Sequence, residues 1–381
     1  MKLDTAIFRA GRQYELIELR RLSSEQRRML GVLPAEADLF GILRPRAGVS
    51  VPAKTVCRNS ALLYLSLLEP GLIPQCIVSS VPNVTAFLSG LVLNGVLEIL
   101  QGEQFVTGSD ASQALGLDAE MGDLNPIAQL SLAGVQYAES LTLSDMSELT
   151  SRLYCFNRKP LSIRWMRDIP DESTLLNYVG ASGDKSAAKL LRRHWEYEGS
   201  QTGWHVWRRG PSEPLQRQFK VYLSPQPEAI APVFRALVEL AIGCGVHCFK
   251  IGAGPAGILR PDKLVAYLQN FESLIQLVRD LKSSTAGCPV QGVPFTACAT
   301  PDGLVSWGID PPDDGAIFPQ ERPQSWRVWV ASCLAEALLQ AQGRSSNGCQ
   351  PWEFAICKMR SIGIDPQTWL PPATEWTLPP A

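Results

Sequence analysis

Histidine is nearly missing from this sequence: 381 residues contain three, His194, His205 and His247. So few imidazoles argue against a three-histidine catalytic metal site. Cysteine does not fill the gap. Of ten cysteines the closest pair, Cys244 and Cys248, has no second pair at zinc-ligand spacing, so no metal is expected; the glycine-rich segment at residues 252–257 gives no reason to expect another cofactor. Scattered cysteines without partners fit a reducing compartment. Long apolar runs are missing too. No window reaches about 18 uninterrupted apolar residues, and the first residues, MKLDTAIFRAGRQYELIELR, mix charge with apolar side chains where a signal peptide would need an apolar core. A cytoplasmic protein without a membrane partner is the expectation. Net charge is also small: 35 basic against 37 acidic residues leave −2, so no bulk field draws the chain onto nucleic acid or anionic lipid. What is present is an ordinary globular composition, 45% hydrophobic and 19% charged, over a length that predicts two or three domains.

Residues 1–112 form the first of these. Glu15–Leu30 reads as a helix, Leu39–Arg44 and Lys54–Cys57 as short strands. Ala61–Leu68 reads as a helix stopped by Glu69-Pro70-Gly71. A second helix is expected over Asn83–Gly95, followed at once by a hairpin made of Val96–Leu100 and Gln104–Val106. That order predicts a winged-helix-like domain. The helix Asn83–Gly95 contains no lysine or arginine and the hairpin carries Glu98 and Glu103, which argues against nucleic acid as a partner.

Residues 113–215 predict a helical connecting region, with helices over Ile127–Leu141, Leu143–Tyr154 and Ser186–Glu198. Strands are expected at Leu161–Trp165 and Trp204–Arg209. From residue 216 to 381 the pattern becomes an α/β domain of βαββαβ order, so the chain as a whole is expected to be α+β. Its expected strands are Gln218–Leu223, Val246–Ile251, Lys263–Leu268, Val293–Cys298 and Leu304–Ile309. The helices are Glu228–Ile242, Phe271–Lys282, Ser325–Gln342 and Trp352–Ile362, before a proline- and tryptophan-rich tail. Eight tryptophans from Trp204 to Trp376 lie in the second half; core packing and the grip of an extended peptide are both open to them.

Gly252-x-Gly254-x-x-Gly257 after an apolar strand matches a dinucleotide-binding fingerprint by spacing. The fingerprint needs its third glycine inside a helix that faces the pyrophosphate. Arg260-Pro261 follows too soon for such a helix, so a glycine-rich hairpin loop between two strands is expected instead.

Side chains alternate across a strand. If the apolar faces of these strands pack on helices, the opposite face collects Lys220, Tyr222, Lys250, Lys263 and Tyr267, with Arg260 entering from the loop edge. Such a cluster suits a phosphate, and neighbouring cations are expected to lower the proton affinity of a lysine. A solvated basic face is the alternative reading of the residues alone.

Two resemblances extend this. ALLYLSLLEPG…FLSGLVLNGVLEI resembles the PqqD-like recognition elements that bind the leader of a ribosomal precursor peptide. FKVYLSPQPEAIAPVFRALVE…CFKIG…RPDKLVAYL resembles the phosphothreonine lyases of the OspF/SpvC type. It is similar also to relatives that make dehydroamino acids in lanthipeptide and thioamitide biosynthesis, including the class V lanthipeptide lyases related to a plant-pathogen effector. The resemblance implies elimination of phosphate from phosphorylated Ser or Thr, in which Lys250 removes the Cα proton and Lys220 binds phosphate and acidifies that proton. Arg260, Lys263 and Tyr267 fall among the phosphate-binding positions. It implies a precursor peptide and a kinase-like protein as partners. The family's histidine, which protonates the leaving phosphate, is replaced by Tyr222. Either Tyr222 is the acid, or elimination has been lost and the chain is a non-catalytic phosphopeptide-binding partner in a peptide-maturation complex.

Overall fold

The computed structural model describes residues 3–30, 38–49, 51–81, 83–117, 121–201, 203–210, 219–311, 325–342 and 349–371. Gln218, where a strand was expected to begin, and the end of the tail with Trp376 lie outside these residues. The chain is a mixed helix-and-sheet protein that divides into two units. One is Met1–Glu120 with Asp313–Arg322 and Glu336–Gly363; the other is Met121–Pro312 with Pro323–Ala335 and Ile364–Ala381.

The first unit begins with β1 (Phe8–Ala10), β2 (Tyr14–Glu18), α1 (Ser24–Met29), β3 (Leu39–Pro45) and β4 (Lys54–Cys57). It continues through α2 (Arg58–Ser66), α3 (Gln75–Ser80), α4 (Val84–Leu93), β5 (Leu97–Gln101) and β6 (Gln104–Val106). Two three-stranded sheets result, β2-β3-β4 and β1-β5-β6. The helix expected over Glu15–Leu30 is not formed. Tyr14–Glu18 pairs with β3, setting Leu16 against Leu43, and helix starts only where Ser23 caps the backbone N–H of Gln26 in a reciprocal capping box. The helix before the hairpin and the hairpin itself form as expected, with Asn83 capping α4. Glu98 is buried in the hairpin, where it accepts from Arg9 Nε at 2.7 Å and Arg12 N at 2.9 Å.

In the second unit α5 (Pro126–Ser140), α6 (Met146–Cys155), α7 (Ile163–Asp168), α8 (Glu172–Val179) and α9 (Ser186–His194) lead into β7 (Glu196–Gln201) and β8 (Trp204–Arg208). Then follow β9 (Phe219–Leu223), α10 (Ile230–Ala241), β10 (Cys248–Gly252), α11 (Gly254–Ile258), β11 (Leu264–Leu268) and α12 (Phe271–Ser284). The strands β12 (Ala297–Cys298) and β13 (Val305–Ile309) precede α13 (Trp326–Gln342), which begins in this unit; α14 (Pro351–Ser361) belongs to the first. Three expectations fail here, the first at the glycine-rich segment, where Gly254–Ile258 forms a short helix containing Gly257 in place of a hairpin loop. Leu161–Trp165 is not a strand, because Ser162 caps a helix at the N–H of Trp165. The helix at Ser186 stops at His194, and Glu196–Gln201 pairs with β8 instead.

The seven strands form one sheet in the order β12-β13-β9-β11-β10-β8-β7, every neighbour antiparallel. The antiparallel pairing of β10 with β11 is not the parallel unit that a dinucleotide fingerprint serves. The glycines have another use. A Cβ on Gly252 would stand 2.4 Å from the carbonyl oxygen of Gly257, and one on Gly257 would stand 2.3 Å from the carbonyl carbon of Gly252. Backbone crosses backbone there, which any side chain would prevent. One face of the sheet is the apolar one: Phe249 and Trp207 meet Phe234 of α10, and Phe219 meets Phe271 of α12. Of the tryptophans, Trp207, Trp307, Trp326 and Trp369 are buried in packing, which is the core role rather than the peptide grip.

Candidate active site

The other face of the sheet carries the chemistry. Register aligns Lys220 of β9 with Tyr267 of β11, Tyr222 with Val265, and Val265 with Lys250 of β10. Directly opposed residues in a sheet point to the same side, so Lys220, Tyr222, Lys250 and Tyr267 stand together. They line a cavity of about 230 Å³ with Tyr154, Trp204, Asp262, Val265, Ser325, Arg327 and Val328. All of these residues belong to the second unit. The space is smaller than the ~300–1,000 Å³ clefts that enclose whole drug-sized ligands. Gly308 faces Lys220 from β13, and a Cβ there would stand 2.9 Å from the Trp326 ring. The missing side chain thus lets the start of α13 lie close to the sheet and brings Arg327 to the cavity.

Lys250 is half-buried, with its ammonium 4.3 Å from the Trp204 ring centroid and 5.4 Å from that of Tyr267. Among the described residues no hydrogen bond or ion pair holds it. Burial pushes its proton affinity down, Asp262 partly restores it, and Lys220 and Arg260 lower it again, leaving a pKa of about 8. The neighbouring cations expected to cause this shift do contribute, but desolvation is the larger cause. Lys220 is buried and pairs with Asp310 at 2.5 Å. The Tyr222 hydroxyl is buried and has no hydrogen-bond partner among the described residues, and burial raises its pKa well above the ordinary phenol value. Burial likewise raises Tyr267.

Beside these lies a network that was not legible in the sequence. Asp262, almost fully buried, receives Arg260 Nε at 2.9 Å and the Tyr154 hydroxyl at 2.9 Å, and pairs with Arg327 Nη1 at 2.9 Å. Although burial opposes ionisation, Arg327 and Arg260 hold its carboxyl below the usual carboxylate range. Burial and Asp262 push Tyr154 up to about 12. Arg260 also donates to the Tyr154 hydroxyl at 2.7 Å and lies 4.4 Å from the Trp204 centroid. It does not line the cavity but borders it through Trp204, Tyr154 and Asp262, which do. Lys220, Lys250, Arg260 and Arg327 thus face Asp262 and Asp310, an excess of positive charge suited to an anion.

Lys263 is not brought to the cavity. Its ammonium is buried and donates to the carbonyl of Pro225 at 2.7 Å and to Gln291 Oε1 at 2.5 Å. Burial lowers its pKa to about 7. The remaining histidines do not line the cavity either. His205 sits opposite Ile251 on the apolar face and meets the Tyr197 hydroxyl at 2.7 Å, and the His247 ring lies 6.4 Å from that of Tyr267.

No family model matches the sequence, and no curated protein matches it. Solved structures similar to the chain include phosphothreonine lyases. The type III effector and phosphothreonine lyase OspF of Shigella flexneri is 13% identical, with a TM-score of 0.28, the match covering 48% of this chain and 96% of that one. The VirA (SpvC) phosphothreonine lyase effector of Chromobacterium violaceum is 16% identical at a TM-score of 0.27, over 52% of this chain and 98% of that one. An effector protein of Pseudomonas syringae pv. syringae is 14% identical at 0.39, over 64% of this chain and 97% of that one. Similarity this low carries no argument about the chemistry of this chain, which rests on the cavity itself.

Proposed function

We propose that the second unit is a lyase that eliminates phosphate from phosphorylated Ser or Thr in a peptide, leaving a dehydroamino acid. The observation that carries this reading is Lys250: an amine with no hydrogen-bonding partner among the described residues, with a pKa of about 8, in a cavity rich in cations. Lys250 Nζ takes the Cα proton. The C–H electrons become the Cα=Cβ double bond, the Cβ–O bond breaks with its own pair going to the leaving oxygen, and Tyr222 gives that oxygen a proton as phosphate departs. Lys220 and Arg327 line the same space and offset the charge that builds on the leaving oxygens, the interaction that usually contributes most in such sites. Arg260, bound by Asp262, adds to the positive field from behind Trp204. Tyr267 borders the phosphate. Lys263, directed to Pro225 and Gln291, has a structural role in this reading rather than the ligand role expected of it.

The wider setting belongs to the same proposal. The PqqD-like resemblance of the first unit supports recognition of a precursor leader, and the absence of lysine and arginine from α4 favours peptide over DNA. Leader binding would raise the local concentration of the peptide to be modified, with a kinase-like protein supplying the phosphorylated residue.

Tyr222 decides between this reading and a non-catalytic phosphopeptide-binding protein. A buried hydroxyl with nothing to bond is costly unless a ligand satisfies it. Burial also makes this phenol a reluctant acid, which is the observation that favours the binding alternative. Tyr222→Phe is therefore expected to leave thermal stability unchanged or slightly higher. In a lyase it lowers elimination about a hundred-fold; in a binding protein it weakens phosphopeptide affinity by about 1 kcal/mol. Mass spectrometry of a phosphorylated precursor peptide, with its kinase and leader supplied, reads the loss of phosphoric acid. Binding without such loss by the wild type would leave the binding reading in its place.

A further inference from the structure

Trp204 is the side chain in closest ring contact with the amine. Its indole lies 4.3 Å from Lys250 Nζ and 4.4 Å from the Arg260 guanidinium, measured to the ring centroid. Register explains the placement: Trp204 of β8 faces Gly252 of β10, and its neighbour on the same side, Val206, faces Lys250. The ring is 9% exposed and packs with Val206, Tyr222, Val265 and Val293, so its position is fixed by the core rather than by a ligand.

We infer that Trp204 is a positioning residue for Lys250, its ring setting where the amine stands and stabilising the ammonium that forms when the proton is taken. The inference rests on the lyase reading above. An aromatic face attracts a cation and is largely indifferent to a neutral amine. The contact therefore strengthens as Lys250 gains its proton, which places the effect in the transition state rather than in substrate binding. The same ring also meets Arg260, whose charge Asp262 pairs, so one aromatic face stands against both cations.

The test compares the wild type with Trp204→Leu and Trp204→Phe as whole chains. Competitive labelling of lysines by acetic anhydride across pH, read by mass spectrometry at Lys250, follows the amine directly. Elimination from a phosphothreonine peptide gives kcat and KM. Leucine keeps the site apolar but removes the ring, so the Lys250 titration is expected to move down by about half a unit to one unit. Measured above pH 8, where the resting amine is neutral, kcat should also fall about tenfold with KM little changed. Phenylalanine keeps a ring and should restore most of both. Titration and kcat unmoved in the two variants would overturn the inference. Labelling needs no turnover, so an inactive wild type would defeat the lyase reading alone, while the ring contact would stand or fall on the titration.

Discussion

Lys250→Ala is expected to lower kcat for elimination about a thousand-fold, a loss in the range measured for a general base. A proton-abstracting amine acts in the transition state, so KM and phosphopeptide binding should change little. Stability should also survive. No hydrogen bond or ion pair among the described residues depends on the ammonium, and removing a desolvated amine relieves a cost that offsets its contacts with Trp204 and Tyr267. Lys220→Ala differs, since Lys220 is paired with Asp310 and lines the cavity; if it meets phosphate as proposed, its loss should weaken phosphopeptide binding as well as turnover. Unchanged dehydration by Lys250→Ala, followed by mass spectrometry, would remove that residue from the role while leaving the reaction class standing.

The second large effect is on stability. Asp262→Ala leaves Arg260 and Arg327 facing each other without the carboxylate that pairs them. Breaking a buried pair by removing one partner costs about 3–5 kcal/mol, which for a unit of this size lowers Tm by roughly 10 °C. Tyr154 loses its acceptor at the same time. The pH dependence has a definite sign. Arg327 and Arg260 keep the folded carboxyl below its ordinary value, so its contribution is complete above about pH 4 and is lost as acid protonates it. Thermal unfolding of the wild type should show this acid-side loss, and the Asp262→Ala variant should show less of it. Equal acid sensitivity in the two proteins would place the network's stability elsewhere.

Much of the cavity was legible because strand alternation is local. FKVYL, CFKIG and KLVAYL each put their polar side chains on one side by alternation, and register alone was needed to bring Lys220, Tyr222, Lys250 and Tyr267 together. Lys263 obeys the same alternation in sequence, but it precedes β11 and its long side chain finds carbonyl acceptors instead. The other half of the site depends on long-range packing that no local pattern encodes. Trp204 reaches the cavity because β8 pairs with β10, and Arg327 because α13 comes down on Gly308. A lone arginine in the apolar stretch SWRVWV was the available signal for Arg327, since a charge in such company is seldom left unpaired. Asp262, next to Arg260-Pro261, offered none. The misread helix at Glu15–Leu30 has the same cause: its stretch is compatible with either structure, and the pairing partner at Leu39–Pro45 decides for a strand.

The central claim is that a neutral Lys250 takes the proton, and the pH dependence of elimination by the whole chain tests it most directly. A phosphomonoester carries its second charge above about pH 6, so from pH 7 upward the substrate stays constant while the lysine titrates. The account predicts that kcat/KM for a phosphothreonine peptide rises about tenfold per pH unit below the lysine's pKa and levels near pH 8. A flat profile, or one in which the chain only binds the peptide and binds it less well as the amine loses its proton, would contradict the account.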